Sequence, residues 1–189
     1  MRRFIIVSHD IPIEFGFRMD NLPGQGRVDL IARSIGTALL TSHGIREDTE
    51  VYVVVRDEIT VKFSGSELGG LNPDERSIAG VLHKAIPCYS DEWSETTPGV
   101  EAKVLGLEGL MEELDSDCII LDGDGKPAVE SEVREDQCLI LSDNKDFSDS
   151  ENQILDSCKH VSLGSELIHT DQAIAVANNW IDTQGFEKY

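Results

Sequence analysis

The chain has 189 residues, 40% of them apolar, with 16 Lys+Arg against 36 Asp+Glu and a net charge of -20. That length and apolar content suit one domain with its own core and exclude global disorder, and no apolar run is long enough to span a membrane. Taken alone, so acidic a total also argues against a nucleic-acid partner, because phosphate binding runs on lysine and arginine. Arg2 and Arg3 lead into a short strand-like run rather than a leader-type apolar stretch, and the expectation is a soluble cytoplasmic protein.

Short apolar runs alternate with helical spacing, which predicts an α/β fold with a largely parallel sheet. Residues 4–8 form the first strand. Over residues 27–42, Val28, Ile31, Ile35 and Leu39 recur at helical spacing, and His43-Gly44 closes the helix. Residues 51–55 are a β-branched strand, and residues 59–63 alternate so as to pair with it. Asn72-Pro73-Asp74-Glu75 reads as a helix start, with a cap, a proline at the first helical position and acids in the first turn. That helix runs over residues 73–86.

Residues 88–99 are polar and end in Pro98-Gly99, which predicts an exposed loop. A strand near 101–105, a helix at 107–115 and strands at 117–121 and 137–141 follow. An amphipathic helix at 148–157, a short strand at 160–163 and a closing helix at 168–181 complete a single domain over residues 1–189.

The charge is unevenly spread. Residues 1–80 carry 9 Lys+Arg against 12 Asp+Glu, whereas residues 81–189 carry 7 against 24. The basic set of the first part is Arg2, Arg3, Arg18, Arg27, Arg33, Arg46, Arg56 and Arg76, plus Lys62. An acidic, lysine-poor surface resists association in high salt. Arginine kept against that trend marks sites wanting a planar, multi-donor cation, and the expectation is an arginine-lined concave patch within an otherwise acidic surface. Cys88, Cys118, Cys138 and Cys158 form no CxxC pair, and the five histidines show no HxxxH or HExxH spacing. Neither a metal centre nor a disulfide framework is expected.

Three loops follow the last three strands: Leu121-Asp122-Gly123-Asp124-Gly125, Ser142-Asp143-Asn144, and the stretch that begins Leu163-Gly164. Ligands of open α/β sheets bind outside the carboxyl ends of strands, where glycine and serine let the main chain approach closely. Plain strand-to-helix punctuation would use the same residues. A calcium reading of Asp122-Gly-Asp124-Gly fails, because Lys126 occupies the next ligand position.

Taken together, the segments FIIVSHDIP, LPGQGRVDLIAR, SHGIRED, SGSELGGLNPDERS, LILSDNKDFSD and VSLGSELIHTDQAIAVANNWID resemble the archaeal tRNA (pseudouridine(54)-N1)-methyltransferase family, TrmY, of the SPOUT superfamily. The likeness runs from about residue 3 to 182 and lapses mainly around 88–99. It implies a SPOUT-type sheet with a C-terminal trefoil knot, a homodimer, S-adenosyl-L-methionine as cofactor and tRNA as substrate. It also implies a substrate side over about residues 1–100 and a cofactor-binding part over about 101–189. By the match, Leu121 lies in the first cofactor loop, Leu141, Ser142 and Asp143 in the second, and Leu163, Gly164, Ser165, Leu167 and Ile168 in the third. Ala173 stands where some relatives carry a cysteine, so a nucleophilic cysteine gains no support. The closing helix is expected at the dimer interface.

Methylation at N1 of pseudouridine needs no metal. It needs that nitrogen deprotonated and aligned with the methyl donor, with the charge on the uracil met by a cation or by N–H groups. Arg27 and Asp29 in GRVD are the catalytic candidates, Arg27 for the anionic base or a phosphate, Asp29 to orient Arg27 or to take the proton. A helix-start ion pair would look the same in sequence. Arg46 and Arg76 are candidates for tRNA backbone contact, and His9-Asp10 for the substrate side. A ribosomal RNA pseudouridine, or RNA binding without turnover, are the alternative readings.

Overall fold

The computed structural model describes residues 1–14, 16–87 and 90–188. In chain order the elements are β1 (Arg2–Ser8), α1 (Val28–Leu39), β2 (Leu40–Thr41), β3 (Gly44–Ile45), β4 (Thr49–Val55), β5 (Ile59–Ser64), α2 (Glu75–Ala85), β6 (Ser94–Thr97) and β7 (Val100–Lys103). Then come α3 (Leu107–Leu114), β8 (Cys118–Pro127), β9 (Cys138–Ser142), α4 (Asp149–Ile154), β10 (Lys159–Ser162) and α5 (Thr170–Asp182).

Eight strands form one sheet in the order β10-β8-β9-β1-β4-β5-β7-β6. The first five pair in parallel, and β5, β7 and β6 extend the sheet antiparallel. A parallel sheet covered on both faces needs strands that are apolar at every position, and Phe4-Ile5-Ile6-Val7 and Val51-Tyr52-Val53-Val54-Val55 are buried throughout. The period-2 alternation then divides them between two cores. Phe4, Ile6, Val53 and Val55 join Ile31, Ile35, Ile78, Ile174 and Trp180 of α1, α2 and α5. Ile5, Val7, Tyr52 and Val54 join Leu107, Leu110 and Leu155, from α3 and the end of α4.

Three expectations need correction. Residues 94–97 are the edge strand of a hairpin, not loop. An edge strand has one open side and tolerates the polar SETT sequence. Cys88, at the start of that predicted loop, lies outside the described residues. The cap of α2 is Asp74, whose carboxylate accepts the Ser77 N–H at 2.8 Å; Asn72 and Pro73 precede the helix. The helix predicted over 27–42 ends at Leu39, and Leu40–Thr41 turns into a small antiparallel pair with Gly44–Ile45.

Trp180 is fully buried, so it serves the core of this chain. Cys118 and Cys138 face each other in register on β8 and β9, both buried and both free thiols.

Candidate active site

The three loops converge at the carboxyl ends of β8, β9 and β10. The first is an interruption of β8. Its ladder with β10 runs to Ile120 opposite His160 and resumes with Lys126 opposite Val161, so residues 121–125 arch out of the sheet. Glycine is required where the arch returns: a Cβ on Gly125 would lie 2.6 Å from the Val161 nitrogen. On the arch, Asp122 meets His160 Nδ1 at 2.7 Å.

The second loop is anchored from two sides. Asp143 N–H donates to the Val7 carbonyl at 2.9 Å, and Thr170, the first residue of α5, donates its hydroxyl to the Ser142 carbonyl at 2.7 Å. The third loop is held by the Ser162 hydroxyl, which donates to the Gly164 carbonyl at 2.9 Å.

Two adjoining hollows of about 520 and 300 Å³ lie between these loops and share Leu121, Leu167, Ile168 and Ala173. The larger adds Leu141, Ser142 and Asp143, and the smaller adds Leu163, Gly164 and Ser165. All ten residues expected at a cofactor therefore line one continuous cleft. The lining also includes Phe147, Asn152, His160 and His169, which no loop motif marks. Phe147 is half-buried and the other three are exposed polar residues, so neither an apolar period nor a glycine-serine strand end points to them.

The donor set fits an adenosyl cofactor. Leu121, Leu141 and Leu163 supply apolar walls, and Leu167 is 93% exposed beside them, an apolar surface awaiting a cover. Ser142 Oγ is buried with no hydrogen-bond partner among the described residues, and a ligand hydroxyl or amine would satisfy it. The Asp143 carboxylate is otherwise engaged. It accepts the main-chain N–H groups of His9 and Lys145 at 2.8 and 2.9 Å and faces His9 Nδ1 at 3.0 Å, so this residue meets the cleft through its main chain.

Arg27 and Asp29 open α1 at the same end of the sheet. Gly26 has φ 72°, and a Cβ there would strike the Asp10 main chain at 2.3 Å. The chain crosses closely over the loop after β1 at that point. Arg27 follows with φ 58°, a left-handed conformation rare for a side chain of this size. Its Nε and NH2 each lie 3.0 Å from an oxygen of Asp29. Arg33 bonds the same carboxylate and also Glu75 and Asp171, each at 3.1 Å. The network thus joins the first turns of α1, α2 and α5, and Asp171 adjoins Thr170 of the cleft wall. Burial works against the Asp29 charge, but the hydrogen bonds from Arg27 and Arg33 outweigh it and hold the carboxyl below its ordinary range.

Arg46 is elsewhere. It precedes β4 and pairs with Asp182, at the far end of α5, at 2.6 Å, where buried Arg2 also reaches Asp182 at 2.7 Å. The 13 residues of α5 put roughly 20 Å between that cluster and the cleft. Arg76 is exposed in the first turn of α2 and has no ion pair among the described residues.

The expected arginine-lined patch is not found among the described residues. Arg2, Arg3, Arg18, Arg27, Arg33, Arg46 and Arg56 each contact a carboxylate. With 36 acids for 16 bases, an arginine reaching the surface meets a carboxylate almost anywhere. No group of His, Cys, Asp or Glu able to hold a metal occurs among the described residues, and none of their helices is long and apolar enough to cross a membrane.

The fold is α/β with a mostly parallel sheet and is similar to that of Archaeoglobus fulgidus Nep1, a protein whose structure was solved bound to S-adenosylhomocysteine. That structure matches with a TM-score of 0.69 and 15% identity over 96% of this chain and 97% of its own. Residues 1–186 match the family model described as "Putative SAM-dependent RNA methyltransferase". The tRNA (pseudouridine(54)-N(1))-methyltransferases of Haloferax volcanii and Haloarcula marismortui are each 40% identical over the whole of both chains. That of Methanocella arvoryzae is 34% identical over 94% of this chain and 97% of its own. This chain belongs to the tRNA (pseudouridine(54)-N1)-methyltransferase family.

Proposed function

We propose that this protein methylates N1 of pseudouridine 54 in the tRNA T-loop, with S-adenosyl-L-methionine held in the three-loop cleft. The observation that carries the reading is the convergence of Leu121, Leu141 to Asp143, Leu163 to Ser165, Leu167, Ile168 and Ala173 on one cleft. It is joined by membership of a family whose relatives bear that activity in their names. When bound, the cofactor supplies an electrophilic methyl group. The leucines and Ala173 receive its apolar parts, Ser142 Oγ takes one polar contact, and the cleft walls limit the approach of water.

Pseudouridine N1 must give up its proton, and the resulting charge spreads over the uracil carbonyls. Arg27 meets that charge as a fixed cation. Asp29, held ionised by two guanidiniums, is a weak proton acceptor and positions Arg27. Arg76 contacts the tRNA backbone, whereas Arg46 chiefly secures α5 through Asp182.

The knot, the dimer and the division of labour belong to the same proposal. β10 lies beyond β8 from β9, yet α5 returns past the Ser142 carbonyl to pack on α1; that return path supports a C-terminal trefoil knot. Residues of about 1–100 carry the substrate groups, and about 101–189 form the cofactor part. The protein works in the cytoplasm as a homodimer.

The test is methyl transfer from labelled S-adenosylmethionine, in high salt, to tRNA with or without pseudouridine at position 54. Transfer that depends on the pseudouridine is expected. Transfer that ignores it removes the substrate assignment, and no transfer with no cofactor binding favours an RNA-binding role.

A further inference from the structure

His9 follows β1 and does not line the cleft, yet it bonds two of the segments that do. Its Nδ1 lies 3.0 Å from Asp143 Oδ1, its Nε2 lies 3.1 Å from Glu151 Oε2, and its main-chain N–H donates to Asp143 Oδ2 at 2.8 Å. Both carboxylates are shielded, with side-chain exposures of 1% for Asp143 and 8% for Glu151. An ionised carboxylate only accepts hydrogen bonds, and a neutral imidazole carries a single N–H. Two such acceptors on opposite ring nitrogens are both satisfied only by the doubly protonated ring.

Each carboxylate also shapes the cleft. Asp143 accepts the Lys145 N–H at 2.9 Å, which sets the turn over residues 143–145. Glu151 accepts the Ser148 N–H at 2.7 Å and closes the capping box of α4. Lys145 and Phe147, between these two anchors, line the cleft together with Asn152 of α4.

We propose that the His9 imidazolium is a positioning residue that clamps the segment from Ser142 to Glu151 against the end of β1, so that cofactor binding weakens when His9 loses its proton. The proposal rests on the reading of the cleft as the S-adenosylmethionine site. The charged neighbours of His9 from the packed elements are few among the described residues. Asp143 and Glu151 hold the ring, and Lys145 Nζ is occupied with Asp10 at 2.6 Å. Arg56, whose N–H bonds the Ser8 carbonyl, turns its guanidinium to Glu58 at 3.7 Å. Burial disfavours the charged ring, but the bonds from Asp143 and Glu151 outweigh it and raise its pKa above 6.5. The clamp is therefore complete below that value and is lost as pH rises through the higher, folded-state pKa.

The experiment is calorimetric binding of S-adenosylhomocysteine to the full chain between pH 6 and 10, beside NMR titration of the His9 ring. We expect affinity to fall about tenfold across the His9 titration, the range of one charge-assisted bond. Glu151→Gln keeps a capping side chain but removes one charge, and should move both midpoints to lower pH together, which a merely structural role would not do. His9→Gln should bind weakly and without that pH dependence; if it does not fold, the wild type and Glu151→Gln decide the matter. Affinity that stays flat while the His9 resonance titrates overturns the clamp and leaves the cofactor cleft standing. No binding at any pH overturns the cleft and the clamp with it.

Discussion

The guanidinium of Arg27 grips the carboxylate of Asp29 with two parallel bonds of 3.0 Å, from a main chain held at φ 58°. A two-pronged pair fixes the plane of the arginine as well as its position. The Arg27 side chain is still 31% exposed, against 7% for Asp29, so the outer face of the cation stays open to a substrate while the acid is sequestered behind it.

Removing each partner should therefore separate two roles. Arg27→Ala is expected to lower turnover by about 10²–10³, the cost of deleting one fixed charge-stabilising donor, with S-adenosylhomocysteine affinity nearly unchanged. Asp29→Asn should lower turnover less, because the arginine loses its orientation but keeps its charge. Single-turnover rates beside calorimetric Kd values check both; unchanged turnover in Arg27→Ala would take it out of the site.

The same pair makes stability sensitive to acid. The folded Asp29 carboxyl titrates below its unfolded value near 3.8. Its contribution is thus complete above that value and is lost as pH falls through the depressed folded pKa. Melting temperature measured from pH 6 to pH 2 should fall more shallowly in Asp29→Asn than in the wild type at the acid end.

Arg46 and Arg76 should part company. Arg76→Ala is expected to weaken tRNA binding evenly across sequences and to reduce the salt slope by about one. Arg46→Ala should leave that slope unchanged and lower stability instead, by roughly 0.2–1 kcal/mol for a partly exposed pair. Filter binding across a salt series and thermal unfolding of the two variants give the comparison.

Leu167, exposed at the cleft, carries no folding duty. Truncating it to alanine should leave the melting temperature in place and weaken S-adenosylhomocysteine binding, by up to about 1.5–3 kcal/mol if the ligand covers the side chain fully. Unchanged affinity would place the cofactor away from the shared part of the two hollows.

Much of this architecture was legible in the chain. Continuous apolar runs such as Phe4 to Val7 mark strands buried on both faces, and the spacing of Val28, Ile31 and Ile35 marks the face of α1; both are local, because backbone geometry sets the periods. The three loops that line the cleft were legible only as strand ends rich in glycine and serine, a pattern that plain strand-to-helix turns share, so it was the family resemblance that singled them out. The hairpin strand at Ser94–Thr97 was not, since an edge strand imposes no apolar pattern.

What sequence alone determined was most of the elements, the positions of the loops and the overall charge of -20. The tertiary structure decided who meets whom. Arg46 finds Asp182 and His9 finds both Asp143 and Glu151 across more than a hundred residues of chain. No spacing encodes such pairs. An ion pair forms where folding brings a charge within reach of its opposite, and in a chain with twice as many acids as bases the packing alone selects which carboxylate each cation will hold.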